Sequence, residues 1–280
     1  MTDQGGRTNL PLRFLKTTRQ LKRLLPNGRG LWVPMDHGLS NYPEPGLDGS
    51  TMHEVIDAVI QGGANAVILQ KGVLYHQRLK RPASEFENFE NWIVHLSAST
   101  VHNIDDNKVL VGSAYEAYDR GAVAVSGQVN LGTDYESMML NDLGRLTEEA
   151  WDIGIPVLGM IYPRGKNLRI NPDDPTKGVA HAVRIAYEIG CNVAKVPWTG
   201  SVESFRIVTS AAPIPVLIAG GESGPTMEDT LTMVRASMEA GGAGTCMGRR
   251  IFGSDDPLNT TRALRAIIDG SSVDEALSFL

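Results

Sequence analysis

A chain of 280 residues that alternates short apolar runs with amphipathic stretches eight times over predicts a (β/α)8 TIM barrel, an α/β fold. Three observations carry this expectation. Eight runs have strand character, helical periodicity fills most of the intervals, and glycine-bearing turns recur on the helix-to-strand side. An open doubly wound sheet usually has fewer strands or a second domain. No Ser/Gly/Pro-rich linker divides the chain, so we expect a single domain over residues 29–280, preceded by a helical N-terminal extension over residues 1–28.

The strand-like runs cover residues 31–35, 66–70, 92–96, 122–129, 156–161, 192–196, 215–219 and 243–247. They are nearly continuous in apolar residues, as strands buried on both faces of a parallel sheet must be. Between them, residues 52–60, 138–151, 181–189, 202–208, 227–240 and 258–268 are amphipathic with helical spacing. The segments 62–65, 153–156, 189–192 and 240–243 place glycine where a helix ends in a left-handed residue. These turns mark the bottom of the barrel, so functional groups belong at the opposite end, in the loops that follow the strands. In the first segment, Arg7, Arg13, Lys16, Arg19, Lys22, Arg23 and Arg29 face one acid, Asp3, as a targeting or binding tail would. Leu12, Leu15, Leu21, Leu24 and Leu25 instead favour a helix that closes the barrel bottom or meets a neighbouring subunit.

With 42% hydrophobic residues the chain can bury a large core. A net charge of -6 and a pI near 5.5 argue against nucleic-acid and anionic-membrane partners, although a local basic patch could still hold a phosphate. Small molecules are the expected partners. No apolar stretch approaches the roughly 20 residues needed to span a bilayer, and no secretory segment opens the chain. The two cysteines, Cys191 and Cys246, lie at or within apolar runs and read as buried thiols in a reducing compartment, so the expected location is cytoplasmic. His37, His53, His76, His95, His102 and His181 lack metal-ligand spacing, and neither a metal nor another cofactor is expected.

Lys195 lies inside the run 191–198, where alternation puts it on one side with Val193 and Pro197. Burial disfavours an ammonium, so this lysine is expected to have a depressed pKa and to serve as the amine that attacks a carbonyl and forms a Schiff base. An edge-strand lysine that snorkels to water is the structural alternative. Other strand ends carry Asp36 with His37, Gln70 with Lys71, Ser97, Asn130, and Tyr162 with Arg164. After the seventh and eighth strands come the Gly220-Gly221-Glu222-Ser223-Gly224 loop and Gly248-Arg249-Arg250. Strand ends of one barrel converge on one mouth. Asp36 is a turn former or else a base that orients Lys195, and Tyr162 is a core phenol or a proton donor. Lys71 is a rival nucleophile, preferred as a charge partner for Asp36 or for substrate oxygens. The glycine loops with Ser223 and Arg249 fall where barrels often hold phosphate.

Read in order, Met35-Asp36-His37-Gly38, His95-Leu96-Ser97-Ala98-Ser99-Thr100, Ile161-Tyr162-Pro163-Arg164-Gly165, the Lys195 strand and Met247-Gly248-Arg249 resemble the archaeal-type class I aldolases from about Leu21 to the C-terminus. Within them, the second and third strings are most similar to the branch that makes aminobenzoate precursors from aspartate semialdehyde. The resemblance implies a Schiff base at Lys195, Tyr162 as proton donor and Asp36 as base or orienting carboxylate. It also implies phosphate binding by Gly220, Gly221, Gly248 and Arg249, a ketose phosphate and L-aspartate semialdehyde as substrates, and homo-oligomers, decamers among them. Two departures stand out. Glu222 and Ser223 replace the family's proline and basic residue, and Arg250 replaces asparagine, so Glu222 is expected to pair with Arg250. Pro197 and Trp198 also differ from the family pattern. Fructose-bisphosphate aldolase activity, thiolase-like acyl transfer on a phosphorylated diketone, and a non-catalytic sugar-phosphate-binding barrel are the alternative functions.

Overall fold

The structure, a computed structural model, describes residues 11–49, 51–80, 88–103, 105–170, 173–220 and 226–280. Eight parallel strands close on themselves: β1 (Gly30–Pro34), β2 (Ala66–Leu69), β3 (Trp92–His95), β4 (Ala124–Leu131), β5 (Val157–Pro163), β6 (Val193–Val196), β7 (Val216–Ala219) and β8 (Gly244–Cys246), with β8 paired to β1. This is the expected barrel. Helix α1 (Leu12–Leu24) precedes it, and α2 (Met52–Gln61), α3 (Lys71–Lys80), α4 (Ala114–Asp119), α5 (Glu136–Ile153), α6 (Pro175–Ile189), α7 (Val202–Thr209) and α8 (Met227–Glu239) fill the crossovers. After β8 come α9 (Arg249–Phe252), α10 (Pro257–Asp269) and α11 (Val273–Leu277). No helix among the described residues is long and apolar enough to cross a membrane.

The helix ends follow from their residues. Ser201, Thr226 and Ser272 close capping boxes at the starts of α7, α8 and α11, and Asp174 and Asp256 cap α6 and α10 ahead of a proline. Gly154 and Gly190 end α5 and α6 in the left-handed conformation, on the bottom side of the barrel as expected. Two features had no clear sequence signal. Helix α3 carries Gly72 in its first turn and buries Gln77 beside Leu74, so no clean apolar stripe marks it. An antiparallel pair of two-residue strands, Ser97–Ala98 with Val109–Leu110, follows β3 and is too short for a period to register.

Strand alternation divides the apolar residues into two cores. Outward side chains such as Leu31, Val67, Val94, Val125, Ala194 and Ile218 meet the helices. Inward ones, including Trp32, Ile68, Ile93, Leu158, Met160, Val193, Leu217 and Cys246, pack together with Leu24 and Leu25. The end of α1 and its following residue therefore plug the barrel bottom. The Trp32 indole N–H donates to the Leu24 carbonyl at 2.9 Å inside this plug, and Arg13 pairs with Asp152 at 2.9 Å outside it. A buried donor is thus satisfied and the apolar floor is sealed from water. Leu24 is 0% exposed, so Leu24→Ala should lower unfolding free energy by roughly 2–5 kcal/mol, read from denaturant titration. A loss below about 0.5 kcal/mol would mean that α1 is not part of the barrel core.

Candidate active site

The inward parity that fills the barrel with apolar groups continues past each strand's middle and changes chemistry there. Two residues beyond Val193 stands Lys195, two beyond Ile93 stands His95, and two beyond Met160 stands Tyr162. On β4 the inward series runs Ala124, Ser126, Gln128, Asn130. Register aligns these rows, with Lys195 opposite Met160 on one side and Leu217 on the other, and Asn130 opposite Tyr162. The polar ends line a cavity of about 370 Å³ at the barrel mouth, together with Asp36, His37, Arg164, Gly220, Gly248, Arg249 and Arg250.

Two glycines set the walls. A Cβ on Gly248 would lie 2.1 Å from the Pro34 carbonyl oxygen, so only glycine lets the turn after β8 rest against the end of β1. A Cβ on Gly165 would meet the Gly132 backbone at 2.0 Å, and that close approach fixes the turn carrying Arg164. The Arg164 guanidinium lies 4.4 Å over the Tyr162 ring.

Lys195 is 6% exposed, and its Nζ lies 4.0 Å from the Met160 sulfur. Burial pulls its pKa down, yet Cys246, Tyr162 and Asp36 pull it up by more, and the net shift is upward. The expected depression is therefore wrong for the resting site: a desolvated lysine falls only if nothing opposes desolvation. Burial pushes the Cys246 thiol up to about 11 and raises the Tyr162 phenol as well, so both keep their protons at neutral pH. Asp36 is then the full negative charge that favours the ammonium. Its own pKa is lowered, because His95, His37 and Lys195 together outweigh the burial that raises it.

His95 is held beneath that carboxylate. Its Nδ1 lies 2.9 Å from Ser126 Oγ and its Nε2 lies 3.6 Å from Asp36 Oδ2. Burial lowers its pKa to about 4 against the pull of Asp36, so the ring is neutral near pH 7. The ring thus bridges Ser126 and Asp36, one nitrogen toward each. His37 Nδ1 lies 3.7 Å from Asp36 Oδ1, and its ring meets Phe252 edge-on. Burial lowers the His37 pKa too.

Of the residues singled out in the sequence, Asp36, His37, Tyr162, Arg164, Lys195, Gly220, Gly248 and Arg249 surround this cavity. Lys71 does not. Its Nζ is 2.9 Å from Glu116 at the first-turn side of α4, so the expected pairing with Asp36 is replaced by an outward ion pair. Gly221 and Ser223, with the expected Glu222–Arg250 pair, lie outside the described residues. Gln70, Ser97 and Asn130, read only as strand ends at the mouth, line it too; the sequence reading singled out neither Ser126, Gln128 nor Lys108, read Cys246 as a buried thiol, and took His95 only as part of a string. Counting parity along β3, β4 and β8 would have found all but Lys108, which sits on the loop behind the short antiparallel pair. Among the described residues no three of His, Cys, Asp and Glu gather as a metal-binding group.

The His95 pKa gives a signed prediction. A group with a folded value of about 4 and an ordinary value of 6.5 binds fewer protons folded than unfolded between those limits. Stability should therefore fall as pH drops through that window, by up to about 3 kcal/mol from this residue. His95→Gln should remove that part of the slope in denaturant titrations at several pH values. Equal slopes for wild type and variant would show that His95 titrates normally.

Residues 31–254 match the model of the DeoC/LacD family of aldolases. The chain is 39% identical over 259 residues to the 2-amino-3,7-dideoxy-D-threo-hept-6-ulosonate synthase 1 of Archaeoglobus fulgidus, covering 92% of this chain and 93% of that one. It is 35% identical over 226 residues to the 2-amino-4,5-dihydroxy-6-oxo-7-(phosphonooxy)heptanoate synthase of Streptomyces griseus, covering 80% and 79%. An archaeal fructose-1,6-bisphosphate aldolase, solved with its catalytic lysine covalently bound to the carbinolamine intermediate, superposes with a TM-score of 0.80 at 27% identity, over 90% of this chain and 99% of that one. A barrel with a buried amine at its mouth and this set of relatives have one conclusion: the chain belongs to the DeoC/LacD aldolase family.

Proposed function

We propose that this enzyme forms an imine between Lys195 and a ketose phosphate, breaks a C–C bond, and passes the resulting enamine to L-aspartate semialdehyde. The observation that carries the reading is the buried Lys195 amine facing both Asp36 and Tyr162. Relatives at 39% and 35% identity bear aminoheptulosonate-type synthase names, which supports this substrate pair over simple fructose-bisphosphate cleavage. A pure sugar-phosphate binder has no use for a desolvated amine.

The steps follow from the ionisation states. Lys195 Nζ passes a proton to the Asp36 carboxylate and adds to the ketose carbonyl, giving a carbinolamine. Tyr162, whose raised pKa keeps its proton in place, donates it to the leaving hydroxyl, and water departs. The phenolate formed is stabilised by the new iminium cation and by the Arg164 guanidinium over its ring. It then takes the proton from the carbinol hydroxyl as the adjacent C–C bond breaks. The electron pair flows into the iminium and leaves an enamine. Asp36 holds Lys195 and orients the reacting hydroxyls. Backbone N–H groups at Gly220 and Gly248, with Arg249, hold the phosphate. The same reading includes a cytoplasmic location, in keeping with the buried free thiols of Cys191 and Cys246, and self-association through the exposed Leu12 and Leu15 of α1.

Borohydride added with a ketose phosphate should fix the sugar on Lys195, located by peptide mass spectrometry, and Lys195→Met should abolish the adduct. Tyr162→Phe should slow turnover by roughly 10²- to 10⁴-fold. An adduct on Lys71, or normal turnover in Tyr162→Phe, contradicts the reading.

A further inference from the structure

Besides Lys195, four cations line the cavity, Lys108, Arg164, Arg249 and Arg250, against the carboxylates of Asp36 and Asp106, and these four sit on two opposite walls. Arg249 and Arg250 follow β8, while Arg164 follows β5 and Lys108 lies on the loop between β3 and β4. In the closed order of the sheet β8 and β4 are diametrically opposed, and β6, with Lys195, stands between them. A reacting carbonyl on Lys195 would thus have a cationic wall to either side.

We propose that Lys108 and Arg164 form a second anion subsite, one that holds the carboxylate of the acceptor aldehyde; this rests on the Schiff-base reading of Lys195. The two cations are near enough for Arg164 to lower the Lys108 pKa, adding to a larger effect from burial, while Asp36 and Asp106 pull the other way. Among the described residues neither forms a salt bridge with a carboxylate, whereas Lys71, Arg120 and Lys166 do. Two cations lining one wall of the same cavity can both meet an anion placed between them.

The geometry favours a carboxylate. The Lys108 ammonium donates to Ser99 Oγ at 2.7 Å, which anchors it and leaves two further N–H bonds on the ammonium for other acceptors. The Arg164 guanidinium carbon lies 4.4 Å from the centre of the Tyr162 ring, and its forked N–H groups match a planar two-oxygen acceptor. The loop is itself tied to the barrel. Asn130 Nδ2 donates to the Asp106 carbonyl at 2.6 Å, and Gln128 Nε2 donates to Asn130 Oδ1 at 2.9 Å. An anion on this wall would be registered against the inward row of β4, and through it against Tyr162, its neighbour in β5.

The test separates acceptor from donor. L-homoserine carries the amino acid end of aspartate semialdehyde but has no aldehyde, so its binding does not depend on imine formation; 3-aminopropan-1-ol is the same molecule without the carboxylate. Calorimetric titration should show wild type binding L-homoserine and ignoring 3-aminopropan-1-ol. Lys108→Met and Arg164→Met should each weaken L-homoserine binding by about ten- to a hundredfold, the range for losing a charge-assisted contact, and Lys108→Arg should restore part of it. In turnover, Lys108→Met should raise KM for L-aspartate semialdehyde and leave KM for the ketose phosphate near the wild-type value. Unchanged L-homoserine affinity in both Met variants, or a rise in the ketose phosphate KM instead, overturns the subsite. Absence of a borohydride adduct on Lys195 in the wild type would defeat the Schiff-base reading, and the homoserine titration would still decide whether these two residues bind a carboxylate.

Discussion

An ammonium sealed inside a barrel needs an opposite charge within reach, and in this molecule Asp36 supplies it to Lys195. Desolvation pulls the Lys195 pKa down, and Cys246, Tyr162 and the Asp36 carboxylate together pull it up by more. The same carboxylate would protonate if it were buried alone. It stays ionised because Lys195, His95 and His37 surround it. The two buried charges therefore favour one another's ionised forms, and removing one partner leaves the other with less to offset its burial. His95, its pKa lowered to about 4 by burial, lies between Asp36 and Ser126, with Nε2 3.6 Å from the carboxylate and Nδ1 2.9 Å from the hydroxyl.

That coupling depends on a barrel that keeps water out from beneath. Trp32, Leu24 and Leu25 close the bottom, and Leu158, Met160, Val193 and Leu217 fill the space up to Lys195. Parallel register then sets His95 beside Ser126, Lys195 beside Met160 and Tyr162 beside Asn130, all toward the mouth. Where β8 meets β1, the missing side chain of Gly248 lets the wall close against Pro34 and sets Arg249 at the rim. The apolar floor and the charged mouth are consecutive stretches of the same strand faces, so the site's position follows from the packing of the core.

Much of this was legible in the residues. The eight strands were, since apolar runs separated by amphipathic stretches admit few other folds, and so were Lys195, Asp36 and Tyr162 as groups at one mouth. The ionisation of Lys195 was not, because a pKa depends on which charges face a group from other strands, and one strand does not carry that information. Lys71 misled for the same reason. It follows an apolar strand just as a site lysine would, but the helix that begins with it turns the side chain toward Glu116. Lys108 had no signal at all. Its loop is positioned by a pairing of two residues with two and by a contact from Asn130, neither of which leaves a periodic trace.

The coupling between Lys195 and Asp36 can be measured without substrate. A titration of the Lys195 side-chain nitrogen by NMR, in protein labelled at lysine, would give its pKa in wild type and in Asp36→Asn. The wild-type value should lie above that of an ordinary lysine, and it should fall in the variant, which loses one of the groups that oppose desolvation. A wild-type Lys195 that titrates below an ordinary lysine, or a value that Asp36→Asn leaves unchanged, would contradict the coupling on which the site is built.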